Sequence, residues 1–168
     1  MYQFLSKKTH QLKKKEIKKI CLLKDSQWKY GLESQMKWFR DNIKKNDIHN
    51  MFFIKNILFG YTLLRERKCM IGGRERKYLL FDTLIILKSF RNKRLSYLIM
   101  NFDNKIIKQN KKMSFLMCRP NLIKFYKKFG WMKIRKKQIK VIDCPYSTNG
   151  MIFNQKNSKS NFRFFTKK

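Results

Sequence analysis

The apolar positions of this 168-residue chain change spacing several times, and each change marks an element. YQFLS near the start reads as a short edge strand. In KKEIKKICLL, Ile17, Ile20, Cys21 and Leu23 recur at helical spacing with lysines between them. A second helix fits LESQMKWFRDNI, with Leu32, Met36, Phe39 and Ile43 on one stripe and Asp41, Asn46 and Asp47 punctuating its end. HNMFFIKNILFGYTLLRER then reads as two strands joined by a turn at Lys55 and Asn56. Residues 69–76, with Gly72 and Gly73, form a turn or loop. KYLLFDTLIIL is nearly continuous and apolar, the pattern of a central strand covered on both faces.

After SFRN comes a helix whose stripe is Leu95, Leu98, Ile99, Phe102 and Ile106. KMSFLMC is a strand, and PNLIKFYKKFG a short helix with Pro120 in its first turn and Gly130 closing it. WMKIRKKQIKVI alternates as one strand. A loop with Pro145, Ser147 and Gly150 and a last strand, MIFN, follow. The order predicts a mixed α/β (α+β) domain with one sheet covered by helices, over residues 1–155, and a basic, mobile tail over 156–168.

Composition adds one strong feature. Lys and Arg total 42 against 10 acidic residues, a formal charge of +32. Such a charge suits nucleic acid or an anionic surface. The chain also has no alanine and a single valine, Val141, while Lys, Asn, Ile and Phe abound, so A/T-rich codon bias accounts for much of the lysine. Most of the charge is therefore assigned to a solvated surface. No apolar run approaches the roughly 20 residues of a membrane span, and MYQFLSKKTHQLKKK lacks the apolar stretch of a secretory signal. Cys21, Cys69, Cys118 and Cys144 lie far apart without metal-type spacing, which predicts reduced thiols, no metal and a cytoplasmic protein.

The stretch SFRNKRLSYLIM places Arg91, Lys93 and Arg94 at a predicted helix start, where the macrodipole disfavours cations unless an anion lies between them and the free N–H groups. With a quarter of the chain basic, composition and position alone favour a chance cluster slightly over a phosphate loop, and no GxxxxGK[ST] occurs.

The arrangement resembles the acyl-CoA-binding motif of the GNAT superfamily of N-acyltransferases, Arg/Gln-x-x-Gly-x-Gly/Ala, matched by Arg91, Asn92, Lys93, Arg94, Leu95 and Ser96. CRPNLIKFYKKFGW resembles the family's later motif, with Phe125, Tyr126, Phe129, Gly130 and Trp131 in order and spacing. The resemblance covers roughly residues 15–155. It implies a mixed, mainly antiparallel sheet of about six or seven strands flanked by about four helices, and acetyl-CoA as co-substrate. It implies that pantetheine bonds strand backbone at Leu84 and Ile86, that N–H groups of residues 91–96 hold the pyrophosphate, and that Arg119 stands where relatives contact the pantetheine arm. Both loop glycines are replaced, by Arg94 and Ser96. Helical dihedrals do not require glycine, so the N–H donors are expected to survive.

For the chemistry, the resemblance makes Tyr126 the acid that protonates the departing thiolate; without it, Tyr126 reads as a packed aromatic. Asp82, at the strand parity of Leu84 and Ile86, is the first candidate base, weighed evenly against a carboxylate neutralised by neighbouring cations. His49, acting through water, is a second candidate that otherwise reads as a surface residue, and Glu33 a candidate for the substrate side.

The function expected is acetyl-CoA-dependent N-acetyl transfer to a primary amine of a small molecule, by direct transfer in a ternary complex. An anionic acceptor, such as a nucleotide-linked amino sugar, is favoured by the positive body. A monomer or homodimer is expected, with a surface compatible with nonspecific nucleic-acid binding. Two alternatives stand beside it: a basic RNA-binding protein, and a catalytically inactive scaffold on the same fold.

Overall fold

The computed structural model describes residues 1–144, 149–155 and 160–167. It is a mixed α/β structure with four α-helices and a mainly antiparallel open sheet. The described residues group into two compact units, Met1–Arg65 with Thr83–Asp103, and Glu66–Asp82 with Asn104–Lys168. Strands β3 (Ile57–Ile71) and β4 (Arg74–Ile86) and helix α3 (Leu95–Gln109) each contribute residues to both.

In the first unit, β1 (Tyr2–Lys8) pairs antiparallel with β2 (Ile48–Ile54), Tyr2 opposite Ile54 and Lys8 opposite Ile48. Strand β2 turns into β3 through Lys55 and Asn56, at φ 44° and 66°. Two consecutive left-handed residues make the turn whose twist matches its flanking strands. Strand β2 is buried on both faces, and its two polar side chains, His49 and Asn50, are buried with the rest. On one face α1 (Lys14–Gln27) and α2 (Leu32–Asn42) supply Ile20, Cys21, Leu23 and Phe39 to a core shared with Met51, Phe53, Tyr61 and Leu63. On the other, Leu95 and Ile99 of α3 pack on Phe52 and Phe59. Close approach of α3 depends on Gly60, where an added Cβ would lie 2.8 Å from the Ile99 side chain. Burying each of these large side chains stabilises the unit by about 1.5–3 kcal/mol.

In the second unit, β5 (Ser114–Cys118) lies parallel to β4 and antiparallel to β8 (Asn149–Phe153), and β8 pairs with the short β6 (Met132–Lys133). Strand β9 (Phe162–Phe165) runs antiparallel to β3 over Cys69–Ile71 and parallel to β7 (Ile139–Ile142). Phe162 and Phe164 join Cys69, Tyr78, Phe115 and Ile152 in one core, with Phe115 and Phe164 stacked at 3.8 Å. Helix α4 (Ile123–Lys127) follows a 3-10 turn, Pro120–Leu122.

Three expectations are corrected. Residues 69–76 are not a loop: β3 continues to Ile71 and β4 starts at Arg74, with only Gly72 and Gly73 between them, both left-handed. WMKIRKKQIKVI is not one strand; β6 and β7 are separated by a 3-10 turn, Lys136–Gln138, and pair with different partners. The described part of the expected tail carries β9, whose Phe162 and Phe164 are buried. Pro145, Ser147 and residues 156–159 lie outside the described residues.

Candidate functional site

Strand β4 ends at Ile86, and a 3-10 turn, Lys88–Phe90, leads through residues 91–94 into α3. Two residues of this connection are left-handed, Asn92 at φ 62° and Arg94 at φ 54°. Helical dihedrals therefore do not run through the loop. Arg94 occupies the position of the motif's first glycine in a conformation glycine takes freely and a residue with a Cβ takes at a cost of about 1–2 kcal/mol. The first turn of α3 leaves the N–H groups of Leu95 and Ser96 with no helical carbonyl behind them, while the Tyr97 N–H donates to the Arg94 carbonyl at 3.0 Å.

The three cations do different things. Arg91 donates through Nε to the Ile86 carbonyl at 2.9 Å, and its terminal nitrogen donates to Gln27 Oε1, so it ties the end of β4 to the end of α1. Lys93 Nζ sits 5.4 Å from the centre of the Phe90 ring. Lys93 and Arg94, with Tyr97 and Leu98, line an open pocket of about 660 Å³. Leu98, which the stripe assigns to the core, is 42% exposed, and Tyr97 is 41% exposed. Asn92 is exposed, Leu95 buried and Ser96 half-buried; Leu84 and Ile86 are half-buried and pack on the Phe52, Phe59 and Ile99 cluster. All these residues belong to the first unit.

The second unit holds Asp82, Arg119 and Tyr126. The parallel ladder of β4 and β5 consists of Leu79 opposite Ser114 and Leu80 opposite Phe115; it stops there although β5 continues to Cys118. Phe81 and Asp82 thus lie beyond the last registered pair. Phe81 is buried and meets the rings of Tyr126 and Trp131 edge-on, at 6.3 and 5.6 Å. Tyr126, on α4, is 7% exposed and also meets Phe125 at 5.1 Å. Asp82 is an exposed side chain in an otherwise apolar stretch, and Arg119 is exposed immediately after β5.

His49 is not a surface residue. It is fully buried, 2.9 Å from Thr9 Oγ1 and 2.8 Å from the Tyr61 hydroxyl, and stacks on Phe39. Burial, helped by the nearby Lys24 charge, lowers its pKa to about 3, so it stays neutral and serves as a core hydrogen-bonding group. Glu33 is exposed in the first turn of α2. Two residues escaped the sequence reading. Gln27 carried no signal, being a polar residue at a helix end, whereas Tyr97 carried one, an aromatic beside the basic triplet. Among the described residues no cluster of three or more His, Cys, Asp or Glu could hold a metal ion, and no helix is long and apolar enough to cross a membrane.

No protein-family profile and no curated protein matches the chain. Solved structures do. An acyl-CoA N-acyltransferase from Pseudomonas aeruginosa superposes with a TM-score of 0.68 at 13% identity, over 90% of this chain and 99% of that one. The Bacillus subtilis N-acetyltransferase YlbP, in complex with coenzyme A, gives 0.53 at 15% identity over 90% and 96%. An aminoglycoside 6′-N-acetyltransferase complexed with coenzyme A gives 0.62 at 11% over 89% and 96%. With β4 and β5 parting after two pairs and a basic loop leading into α3, the chain has the fold of the GNAT superfamily.

Proposed function

We propose that the chain is an acyl-CoA-dependent N-acetyltransferase that moves an acetyl group from acetyl-CoA directly to a primary amine of a small molecule. The observation that carries this reading is the early end of the β4–β5 ladder at Leu80 and Phe115, since strands that part leave backbone groups for an extended ligand to bond. We assign the pantetheine backbone contacts to Leu84 and Ile86 of β4; the Ile86 carbonyl already accepts from Arg91 Nε, which leaves Leu84 as the main one. The N–H groups of Leu95 and Ser96 and the side chains of Lys93 and Arg94 serve the pyrophosphate, Asn92 shapes the loop, and Arg91 positions it. Arg119 serves the pantetheine arm.

In the transfer, the neutral amine attacks the thioester carbonyl, the C–N bond forms and the C–S bond breaks. Asp82, being exposed, takes the proton that the ammonium form must lose. Tyr126 gives its hydroxyl proton to the leaving thiolate; the proton that the attacking nitrogen sheds as it becomes an amide passes to solvent, and Tyr126 is reprotonated from solvent. The acceptor is a small amine that carries an anionic group, drawn by the +32 charge, and the enzyme acts in the cytoplasm as a monomer or homodimer.

The test is calorimetric titration of acetyl-CoA at moderate salt, with inorganic triphosphate as the charge control. Saturable one-to-one binding that triphosphate does not match is expected. If triphosphate binds equally well, the enzyme reading gives way to an RNA-binding protein or an inactive scaffold.

A further inference from the structure

The underside of α3 holds a polar cluster that the acyl-transfer reading does not use. Asp103, in the first unit, is fully buried. Its Oδ1 accepts two hydrogen bonds, from Asn50 Nδ2 on β2 and from Thr62 Oγ1 on β3, each 2.6 Å long. Among the described residues its other oxygen, Oδ2, has no donor, and neither does the side-chain oxygen of Asn50. Two orphaned acceptors on two side chains already bonded to each other are costly, at about 1–3 kcal/mol per unsatisfied buried group.

A single proton satisfies both. A protonated Oδ2 becomes a donor, and the Asn50 side-chain oxygen is the acceptor on the same pair of groups. Acid and amide then form a ring with two limbs: the amide N–H to Oδ1, which is observed, and the acid O–H to the amide oxygen.

The surroundings favour the neutral acid. On β2 the neighbouring titratable group, His49, is engaged on the opposite face with Thr9, Tyr61 and Phe39. On β1, Ser6 is the register partner of Asn50, and Lys8, of the same strand parity, is exposed. The first-unit residues of β4, Thr83, Leu84, Ile85 and Ile86, carry no charge. Burial dominates at Asp103, raising its pKa to about 7 against the lowering by Thr62 and Asn50.

We propose that Asp103 is held as a neutral carboxylic acid paired in a ring with Asn50, and that this proton is a latch fastening α3 to β2 and β3. Because the folded acid keeps its proton where the unfolded one has lost it, the latch is complete below the ordinary aspartate range. Its contribution falls as pH rises towards and through about 7.

The experiment is a carbon-13 NMR titration of the Asp103 carboxyl, with hydrogen exchange of the α3 amides across pH, in the full chain and in Asp103→Asn and Asp103→Leu. Asparagine reproduces both limbs of the ring without an ionisable proton. The Asp103 carboxyl is expected to titrate well above the other carboxyls. Intrinsically corrected protection of α3 is expected to fall at least several-fold above neutral pH in the natural protein, and to stay flat in Asp103→Asn. Asp103→Leu is expected to be less protected at low pH. A carboxyl that titrates with the rest, or Asp103→Asn less protected than the natural chain at every pH, would overturn the proposal.

Discussion

At the scale of single residues, Arg94 joins local strain to the chemistry of the loop. Its φ of 54° is a glycine conformation held by a bulky cation. Arg94→Gly should therefore raise folding stability by about 1 kcal/mol, read as a higher denaturant midpoint at unchanged slope. A lower midpoint would mean that the guanidinium fastens the loop. Tyr126 offers the corresponding test of chemistry. Tyr126→Phe keeps the ring that packs on Phe81 and Trp131, so acetyl-CoA binding should stay within about twofold while kcat falls about 10²-fold or more. Equal loss of binding would make Tyr126 a packing residue. His49 gives a pH prediction of known sign. Its pKa is about 3 in the fold against 6.5 outside it, so the unfolded chain binds the extra proton between those values. Stability through His49 is complete above pH 6.5 and falls by up to about 1.4 kcal/mol per unit on acidification. His49→Gln, measured by denaturation across pH, should lose that slope.

At the scale of elements, what was legible depended on whether a pattern was local. The hairpin at Lys55 and Asn56 was readable because both its turn and its flanking apolar runs lie within one short stretch. The motif after β4 was readable for the same reason. Strand β9 was not: FRFF is four residues among lysines and asparagines, and only its distant partners on β3 and β7 make it a strand. The same holds for WMKIRKKQIKVI, whose single alternation serves two strands with different partners. The left-handed state of Arg94 is likewise invisible in an arginine. Strand β9 is nevertheless well anchored. Phe164 is fully buried against Tyr78 and Phe115, and Arg67 and Tyr78 donate to the carbonyls of Thr166 and Phe165. Phe164→Ala should cost about 3–5 kcal/mol in equilibrium unfolding, a loss that a mobile tail could not produce.

At the scale of the whole molecule, the charge of +32 works against the fold. Among the described residues the ion pairs include Lys7 with Glu16, Lys37 with Asp41, and Glu66 with both Lys77 and Lys112. Only 10 acidic residues exist to meet 42 cations, so most basic side chains cannot have a carboxylate partner. Self-repulsion of this kind is long-ranged, and salt screens it within about 10 Å at 0.1 M. The melting temperature should therefore rise with sodium chloride, and rise further with a polyvalent anion at equal ionic strength. Acetyl-CoA should raise it at concentrations where salt alone does nothing, because a bound ligand stabilises by mass action rather than by screening. Arg94→Gly with Lys93→Ala should remove most of the acetyl-CoA increment while leaving the chloride increment in place. If both increments fall together, the loop acts only as one more part of the positive surface, and the balance shifts to polyanion binding.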